Sequence, residues 1–576
     1  MPLSPRRKLW KQASQSRRIE PLIDANERRS VPPDVRRAAL PLEERFRYAG
    51  PMYSRKPSDG VVCLVAMLAR PHGYRSGANR GAYFRAKPPA FVMQCMNAMC
   101  KKLASSRRAR TLRQRPMITR FQVDGFKNLV GVDLHFGPFT CIAGSNGVGK
   151  SNLFDAIRFL GELASRPLMD AAATVRDSRR AADVRTIFHR SGDGCAERMR
   201  FDVEMIVPEQ AVDDVGQTAK ATMTFLRYEL ELGLRTNPDT GGPQLVIRHE
   251  ELRSLKRGEA KEHLPFEHSA AWRNSVVTGV RRGPAFVSTT IEGDQCVIRR
   301  HQDGGSRGNP VPALASSLRG TIASVAQADA PTLLCARREM QSWLLLQLEP
   351  TALRQPSAFN DSPRMQPNGE GLAAALYRIA RSSKEPDAVY ARIANRLSEL
   401  IQDVRSIGIT RNEKLELLTI MLTDRAGTEH AARALSDGTL RFLALAVLEM
   451  DPEAHGVLCL EEPENGIHPD RVEPMLKLLQ DIAFDPQLEL APDNPLRQVI
   501  INTHSPLVVG ECPDDSLVLA KVVEDRREGR VFSKALFRGV EDTWRSDSGA
   551  AVASKGELLA YRAPTSLRPT PFTLSE

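Results

Sequence analysis

The chain has 576 residues, of which 41% are hydrophobic and 26% charged, and its mean hydropathy is −0.33. This composition is that of a globular protein with room for two to four domains, and it excludes collagen-like, mucin-like and wholly disordered chains. The formal net charge is +12. No run approaches the ~18–20 apolar residues of a membrane span, since the longest candidate, Val61–Ala69, is half that length.

The cysteines and the N-terminus predict a cytoplasmic protein without a membrane partner. The nine cysteines form no CxxC pair and no Cys/His group with zinc spacing, so neither a disulfide framework nor a structural metal site is expected. Residues Met1–Trp10 are basic, but no apolar stretch follows them as it would in a secretory signal.

The basic charge is confined to the first 116 residues. They hold 26 Lys and Arg against 7 Asp and Glu, a net of +19, whereas the remaining 460 hold 55 against 62, a net of −7. We predict that 1–116 is a disordered extension, or a leader translated upstream of a start at Met117, where a strand pattern begins. A basic arm that binds nucleic acid and an organelle-targeting segment remain as alternatives.

A phosphate-binding loop follows the third predicted strand. Alternating or apolar runs predict strands at Thr119–Val123, Val132–Phe136 and Phe139–Ala143. The next residues spell G-x-x-x-x-G-K-[ST] and lead into a predicted helix, Asn152–Leu163. The predicted ATP-binding residues are Gly144, Ser145, Asn146, Gly147, Val148, Gly149, Lys150, Ser151 and Asn152.

The residue types of this loop suit the binding of phosphates. Glycines let successive backbone N–H groups point at phosphate oxygens, and the helix N-terminus adds the positive end of its dipole. Lys150 supplies a point charge to the β- and γ-phosphates, and the Ser151 hydroxyl is a predicted ligand of Mg²⁺. A chance glycine-rich turn is disfavoured because a strand precedes the loop and a helix follows it.

Two later strands end in polar residues that suit catalysis. The run Gly456–Leu460 predicts a buried strand, and ligands bind at the carboxyl ends of such strands. Glu461 is therefore a predicted Mg²⁺ ligand, and Glu462 is the predicted catalytic residue that orients or deprotonates water. A second predicted strand, Gln498–Asn502, precedes His504, a predicted donor to the γ-phosphate or the water. Taken alone, these residues are also explained as a solvated strand end and a structural histidine.

A turn of small residues precedes a strongly apolar predicted helix, Leu440–Met450. This turn, made of Ser436, Asp437 and Gly438, places a helix N-terminus where an anion can bind. Taken alone, it is equally explained as a helix cap, with Ser436 or Asp437 at the N-cap.

In this order, the segments resemble the ATP-binding-cassette-type ATPase head shared by the SMC, Rad50, RecF and OLD families. Within that superfamily they are similar to bacterial ATPases of the AAA_21 type. The matching sequences are FQVDGFKNL (121–129), GSNGVGKSN (144–152), ALSDGTLRFLAL (434–445), CLEEPENGIHP (459–469) and INTHSP (501–506). The resemblance extends over about 117–560.

The resemblance implies an α/β P-loop NTPase fold of ABC/SMC-head type, with a mixed parallel core sheet, an antiparallel lobe and a helical inter-motif region. It implies ATP and Mg²⁺ as ligands. It also implies a homodimer on ATP binding, in which the turn Ser436–Gly438 of one protomer closes on the γ-phosphate held by the other. The sequence departs from the wider pattern at Glu461, where Asp is commoner, and at Asp437, where transporters have Gly. No Q-loop glutamine is assigned.

Spacing and composition exclude several related classes. Lys150 and Ser436 are 286 positions apart, far more than the transporter cassettes that resemble this fold need. Eight prolines between 310 and 386 break any continuous coiled coil, so a short-armed head is predicted. No glutamate followed by a D-x-D sequence is found after the head, so an OLD-type nuclease domain is not expected.

We predict five segments: the basic extension 1–116, a first ATPase lobe 117–300, a helical inter-motif region 301–430, a second lobe 431–560 and a C-terminal tail 561–576. Alternation predicts antiparallel strands in the first lobe at Arg198–Val207, Ala221–Leu234 and Ala285–Arg299. Helices are predicted around Gly369–Arg381 and Ala388–Val404.

The predicted function is Mg²⁺-dependent ATP hydrolysis that drives a conformational switch, in DNA repair or anti-phage defence as the resemblance implies. One alternative is an ATP-gated scaffold that regulates a partner effector protein with little turnover of its own. Another is nucleic-acid binding through the basic arm 1–116. DNA and an effector protein are therefore the candidate partners besides a second copy of the chain.

Overall fold

The computed structural model describes residues 117–563, apart from short internal gaps. The gaps are 176–182, 193, 238, 240, 280–282, 293–294, 302, 304–310, 315–319, 321, 323–329, 402, 455, 492–493, 528 and 548–550. The predicted basic extension 1–116 lies outside the described residues, as does 564–576. No helix of the described part combines the length and the apolar character that a bilayer crossing requires.

Three strands and a helix open the described chain and confirm the predicted order. β1, Met117–Asp124, pairs in antiparallel fashion with β2, Val132–His135. β3, Phe139–Ala143, is buried along its whole length and leads through the glycine-rich loop into α1, Lys150–Leu163. The helix begins two residues before the predicted start at Asn152.

The next part of the chain forms most of an antiparallel sheet. In chain order its elements are α2 (Leu168–Ala173), β4 (Arg190–Ser191), β5 (Gly194–Cys195), β6 (Arg198–Ile206), β7 (Gln210–Val212), β8 (Thr218–Lys220), β9 (Phe225–Thr236), β10 (Pro243–Ser254), α3 (Ala270–Val276), β11 (Val287–Glu292), β12 (Gln295–Arg300) and β13 (Val311–Leu314). The sheet order is β13-β12-β11-β10-β9-β6-β1-β2, while β4–β5 and β7–β8 form separate hairpins. The strand predicted at Ala285–Arg299 is instead two paired strands, β11 and β12.

The rest of the chain builds a second, mixed sheet and its helices. In chain order these elements are α4 (Pro331–Gln341), β14 (Leu344–Leu346), α5 (Pro350–Leu353), β15 (Ser357–Ala358), α6 (Leu372–Ser382), α7 (Pro386–Leu400), β16 (Ser406–Asn412), β17 (Leu417–Thr423), β18 (Glu429–Ala431), α8 (Asp437–Met450), β19 (Gly456–Glu461), α9 (Val472–Ile482), β20 (Arg497–Thr503), α10 (Pro506–Glu511), β21 (Leu517–Arg527), β22 (Arg530–Val540), α11 (Trp544–Asp547), β23 (Val552–Ala553) and α12 (Lys555–Arg562). The sheet order is β14-β19-β20-β3-β21-β22-β23, and all neighbours are parallel except β21 and β22.

The region predicted as helical, 301–430, is only partly so. It contains α4 to α7, but also β14 of the mixed sheet and a small antiparallel sheet of β15 to β18. In β17 every second residue is buried, which is the period of a strand with one covered face. The helix predicted at Ala388–Val404 ends earlier, at Leu400, and α12 continues to Arg562, inside the predicted tail.

The division into lobes at 300 and 430 remains a prediction. The mixed sheet joins distant parts of the described chain, because β3 pairs with β20 on one side and with β21 on the other.

The core lies on both faces of the mixed sheet. On one face, Ile142 and Ile500 share a cluster with α1 and the antiparallel sheet. Within that cluster Phe126 stacks on Phe159 at a ring distance of 6.0 Å. On the other face, Ile501 packs with α8 and α9. Each buried large side chain contributes about 1.5–3 kcal/mol to the stability of the fold. The two layers therefore hold in place the sheet edge at which the strands end.

Candidate functional site

Four neighbouring parallel strands end at the same edge of the mixed sheet. They are β14, β19, β20 and β3, in that order across the sheet. Polar residues stand at or just after each carboxyl end: Gln347 after β14, Glu461 closing β19, His504 after β20 and the P-loop, Gly144–Ser151, after β3. In an open α/β sheet this edge is where ligands bind.

The P-loop takes a conformation that requires glycine. Gly149 has a φ of 109°, and a Cβ atom added there would lie 2.6 Å from Asn128 Oδ1. Gly147 also has a positive φ, 79°, in an exposed part of the loop. These left-handed backbone positions let the loop curl beside the N-terminus of α1, as a phosphate cradle needs.

Lys150 is buried, with 5% of its surface exposed, and folds back onto the loop. Its ammonium donates hydrogen bonds to the carbonyl oxygens of Gly144, at 2.6 Å, and Ser145, at 2.9 Å. Burial lowers the pKa of the Lys150 ammonium, although the carboxylates that follow β19 oppose the shift. The positive charge of Lys150 thus lies within the loop that would surround a phosphate.

Residues 121–129 support the P-loop and α1 through side-chain contacts. Asn128 Nδ2 donates to the carbonyl oxygen of Val148, at 3.2 Å, and Asn128 Oδ1 accepts from Asn152 Nδ2, at 2.8 Å. Lys127 forms an ion pair of 3.0 Å with Asp155 on α1. Through these contacts, residues 127 and 128 hold the P-loop and α1 in shape.

Glu461 and Gln347 meet at the ends of β19 and β14. Gln347 Nε2 donates to Glu461 Oε2 at 3.3 Å. The sequence did not assign this glutamine. Its signal is the apolar run Leu344–Leu346 ahead of it, which ends in a polar residue as β19 and β20 do.

Glu462 is held in an unusual conformation. Its φ is 44°, in the left-handed region that glycine favours. Its backbone N–H donates to both the carbonyl oxygen and the side-chain Oδ1 of Asn502, at 3.0 and 3.1 Å. These bonds from β20 stabilise a backbone turn that costs about 1–3 kcal/mol for a residue other than glycine.

The Glu462 carboxylate accepts two hydrogen bonds. Asn465 Nδ2 lies 2.7 Å from Oε2, and His504 Nδ1 lies 2.8 Å from Oε1. Burial alone would raise the pKa of this carboxyl. The hydrogen bonds from Asn465 and His504 outweigh burial, so the pKa is lowered below the ordinary glutamate value.

A third carboxylate, Glu464, follows Glu461 and Glu462 in the same segment. It accepts a hydrogen bond from Thr503 Oγ1, and burial raises the pKa of its carboxyl. The sequence analysis assigned no role to Glu464 or to Asn465, because nothing in their spacing distinguishes them from a polar turn.

An open cleft of about 480 Å³ joins the strand ends. The polar residues that line it are Ser151, Gln347, Glu349, Arg441, Glu461, Glu462, Asn465 and Asn502. The structure thus brings together the P-loop serine, both predicted carboxylates and, through its contact with Glu462, His504.

The signature turn, Ser436–Gly438, is not among the residues that line this cleft. Ser436 caps α8, since its hydroxyl oxygen accepts from Thr439 N at 3.2 Å. Asp437 is half exposed and pairs with Arg354, which also donates to the carbonyl oxygen of Leu435 at 3.1 Å. The helix cap expected from the sequence is therefore present.

α8 also reaches the cleft itself, because Arg441 lines it. Arg441 Nη1 donates to the carbonyl oxygen of Asn465 at 2.6 Å, and Asn465 in turn donates to Glu462. The helix that begins at the signature turn therefore reaches the predicted catalytic carboxylate of its own chain through one intermediate residue.

Comparison with known families agrees with the motifs. Residues 351–510 match the family described as "AAA domain, putative AbiEii toxin, Type IV TA system". The match covers the signature turn, Glu461, Glu462 and His504, and the P-loop lies outside it.

Curated relatives match over a short part of their length. The DNA replication and repair protein RecF of Porphyromonas gingivalis is 32% identical over 80 residues, 14% of this chain and 22% of that protein. RecF of Clavibacter sepedonicus is 28% identical over 113 residues, 19% of this chain and 27% of that protein. The chain thus spans about a quarter of the length of these relatives.

Solved structures with a similar arrangement are SMC heads. An Smc head bound to the C-winged helix domain of ScpA is 16% identical, with a TM-score of 0.38 over 73% of this chain and 98% of that chain. The SMC head domain from Thermotoga maritima is 12% identical, with a TM-score of 0.31 over 73% of this chain and 98% of that one.

The family match agrees with the order of the later motifs, from the signature turn to His504. The family match and the RecF similarity confirm the resemblance inferred from the sequence: the chain is similar to P-loop ATPases of the ABC/SMC/RecF-like type.

Proposed function

We propose that this protein binds ATP with Mg²⁺ at the strand-end cleft and hydrolyses it in a site completed by a second protomer. The observation that carries the proposal is the meeting of a P-loop with the hydrogen-bonded pair of Glu462 and His504 at one sheet edge. A phosphate held by the loop would lie beside a carboxylate able to activate water.

The P-loop and α1 would hold the phosphates. Gly147 and Gly149 keep the backbone open, and the N-terminus of the 14-residue α1 supplies unpaired N–H groups. Lys150 would exchange its bonds to the loop carbonyls for bonds to β- and γ-phosphate oxygens.

The donor set of the cleft fits Mg²⁺. Ser151 and Glu461 both line it, and hydroxyl and carboxylate oxygens are the ligands that Mg²⁺ prefers. When bound, Mg²⁺ supplies positive charge to the phosphoryl group being transferred. Gln347, whose amide contacts Glu461, would keep that carboxylate turned toward the cleft.

Glu462 would act as the general base. Its lowered pKa keeps it ionised at neutral pH, so that it can accept a proton from water. His504 contacts this carboxylate and has 41% of its side chain exposed, which leaves the ring accessible to a terminal phosphoryl group. Its proposed role is to orient Glu462 and to contact that phosphoryl group.

The signature turn would act on the site of the partner protomer. It lies outside the cleft of its own chain and stands at the N-terminus of a 14-residue helix, which attracts anions. In a two-fold symmetric dimer, one pairing of surfaces places each turn on the partner's P-loop. ATP then joins the two protomers, and hydrolysis releases them.

The proposal is tested by ATP turnover of Glu462→Gln beside Lys150→Ala. Loss of a general base should lower kcat by about 10²–10⁴-fold while ATP still binds. The variant Glu473→Gln, an exposed carboxylate on α9, is the matched control and should keep full turnover. Full turnover by Glu462→Gln would show that the catalytic carboxylate is another residue.

We further propose that the switch acts on DNA, in repair or in defence against phage. The support is the similarity to RecF, which is a DNA replication and repair protein. ATP turnover with and without double-stranded DNA tests this: stimulation by DNA is expected, and identical rates over a range of DNA lengths would contradict it.

A further inference from the structure

Asn502 is a buried polar residue in the middle of the cleft. It is the sixth residue of β20 and has 1% of its surface exposed, yet it lines the cleft together with Ser151 and Glu461. On the neighbouring strand its partner in register is Glu461. Asn502 belongs to the matching sequence INTHSP (501–506), in which only His504 was assigned a role.

The orientation of the Asn502 amide follows from its contact with Glu462. The Glu462 N–H can only donate, so the atom 3.1 Å from it must be the amide oxygen, Oδ1. The other end of the amide, Nδ2, is therefore turned away from the Glu462 backbone.

Nδ2 has no hydrogen-bond partner among the described residues, although it is buried. An unmade hydrogen bond at a buried donor costs about 1–3 kcal/mol, so an unpaired buried donor beside a cleft points to a group that is bound there. The amide nitrogen thus marks a position in the cleft where an acceptor is expected.

Only a few chemical groups can act as that acceptor. An amide NH₂ donates and does not accept, so it cannot ligate Mg²⁺. The groups around it are the P-loop serine and the two carboxylates of β19, which together surround the place of the terminal phosphoryl group in the proposed function.

We propose that Asn502 contacts the nucleotide directly, with Nδ2 donating a hydrogen bond to an oxygen of the γ-phosphoryl group. This inference rests on the proposed ATP site and goes beyond it, because it makes Asn502 a residue that distinguishes ATP from ADP. Asn502 at once holds the backbone of Glu462 and contacts the group that Glu462 helps to cleave.

The test compares the affinities for ATP and ADP in the Glu462→Gln chain, which does not consume the ATP. Asn502→Leu removes the donor without adding charge. Asn502→Asp keeps an oxygen for the Glu462 N–H and replaces only the donor. Both should weaken ATP binding by about 10–100-fold and change ADP binding by no more than about twofold.

Retained ADP binding shows that each variant is folded. An unchanged ratio of the two affinities in both variants would overturn the proposal. A loss of ATP affinity confined to Asn502→Asp would also overturn it, because that loss would be an effect of the added charge. If the Glu462→Gln parent binds neither nucleotide, the proposed function itself is wrong, and this role of Asn502 fails with it.

Discussion

At the scale of single residues, the site depends on backbone conformations that side-chain patterns do not reveal. Glu462 lies at a φ of 44°, and its N–H is fixed by Asn502 on the next strand. The sequence identified Glu462 from its place after an apolar strand, but neither the turn nor the contact with Asn502. That contact joins residues 40 positions apart and exists only once β19 and β20 pair.

The first prediction concerns Gly149. Gly149→Ala should abolish measurable nucleotide binding, because the residue has a φ of 109° and the new methyl group would meet the Asn128 amide. The left-handed backbone alone costs about 1–2 kcal/mol for alanine. Calorimetric titration with ATP measures the loss. Gly408→Ala, at a position with open space around it, is the control, and equal affinity in both variants would contradict the account.

The second prediction concerns Glu339, a fully buried carboxyl on α4. Burial raises its pKa to about 8, although hydrogen bonds from Trp343 and Ser342 oppose the shift. The folded chain therefore holds a proton that the unfolded chain releases near pH 4.5. The stability that this proton gives is complete below the unfolded value and is lost as pH rises through 8.

Glu339→Gln imitates the protonated acid and should remove this pH dependence. We expect the variant to be more stable than the natural protein at pH 9, by about 1 kcal/mol or more, and nearly equal to it at pH 5. Thermal unfolding at pH 5, 7 and 9 measures the difference. If the difference in unfolding temperature between the variant and the natural protein is the same at all three pH values, Glu339 is not protonated in the folded chain.

At the scale of elements, local patterns predicted the strands and helices that carry the motifs, and long-range pairing decided the rest. β3, α1, β19 and β20 follow apolar runs with clear ends, so their order was predictable. The short strand β14 was not, because its three residues become a strand only through pairing with β19. Gln347 was missed for that reason. The strands β15 to β18 were missed because the helices around them dominated the interpretation of 301–430.

α12 shows how a late element can serve the site. The Tyr561 hydroxyl donates to the carbonyl oxygen of His504 at 3.2 Å. Arg562 donates to the carbonyl oxygens of Val509 and Cys512, at 3.1 and 3.2 Å, and so fastens α10 just after His504. The helix therefore holds the segment that presents the histidine to Glu462.

The third prediction follows from this arrangement. Tyr561→Phe removes only the hydroxyl group and should lower kcat by about 2–10-fold with little change in the KM for ATP. Steady-state kinetics at saturating Mg²⁺ measures both constants. Tyr377→Phe removes a hydroxyl that bonds Arg411 outside the cleft and is the matched control. A rise in KM equal to the fall in kcat would contradict a positioning role for α12.

At the scale of the whole molecule, the phosphate-binding and catalytic residues lie apart from the signature turn, and a composite site would join them. The P-loop, the carboxylates and His504 meet at one sheet edge, whereas the signature turn stands at the start of α8 with an exposed face. The link from α8 through Arg441 and Asn465 to Glu462 would let the state of one site influence the turn offered to the other. Sequence motifs identified both groups of residues, and the fold shows that the signature turn is not among the residues that line the cleft of its own chain.

The most direct test of the central claim is complementation between two inactive variants. Lys150→Ala removes the phosphate contact and leaves the signature turn intact, while Ser436→Arg blocks the turn and leaves the P-loop intact. Each variant alone should be inactive. Mixed in equal amounts, they should recover about a quarter of the natural turnover, since half of the dimers are mixed and each has one complete site. If the subunits exchange and the mixture stays inactive, or if Ser436→Arg alone is fully active, the signature turn does not act across a dimer and the composite site is refuted.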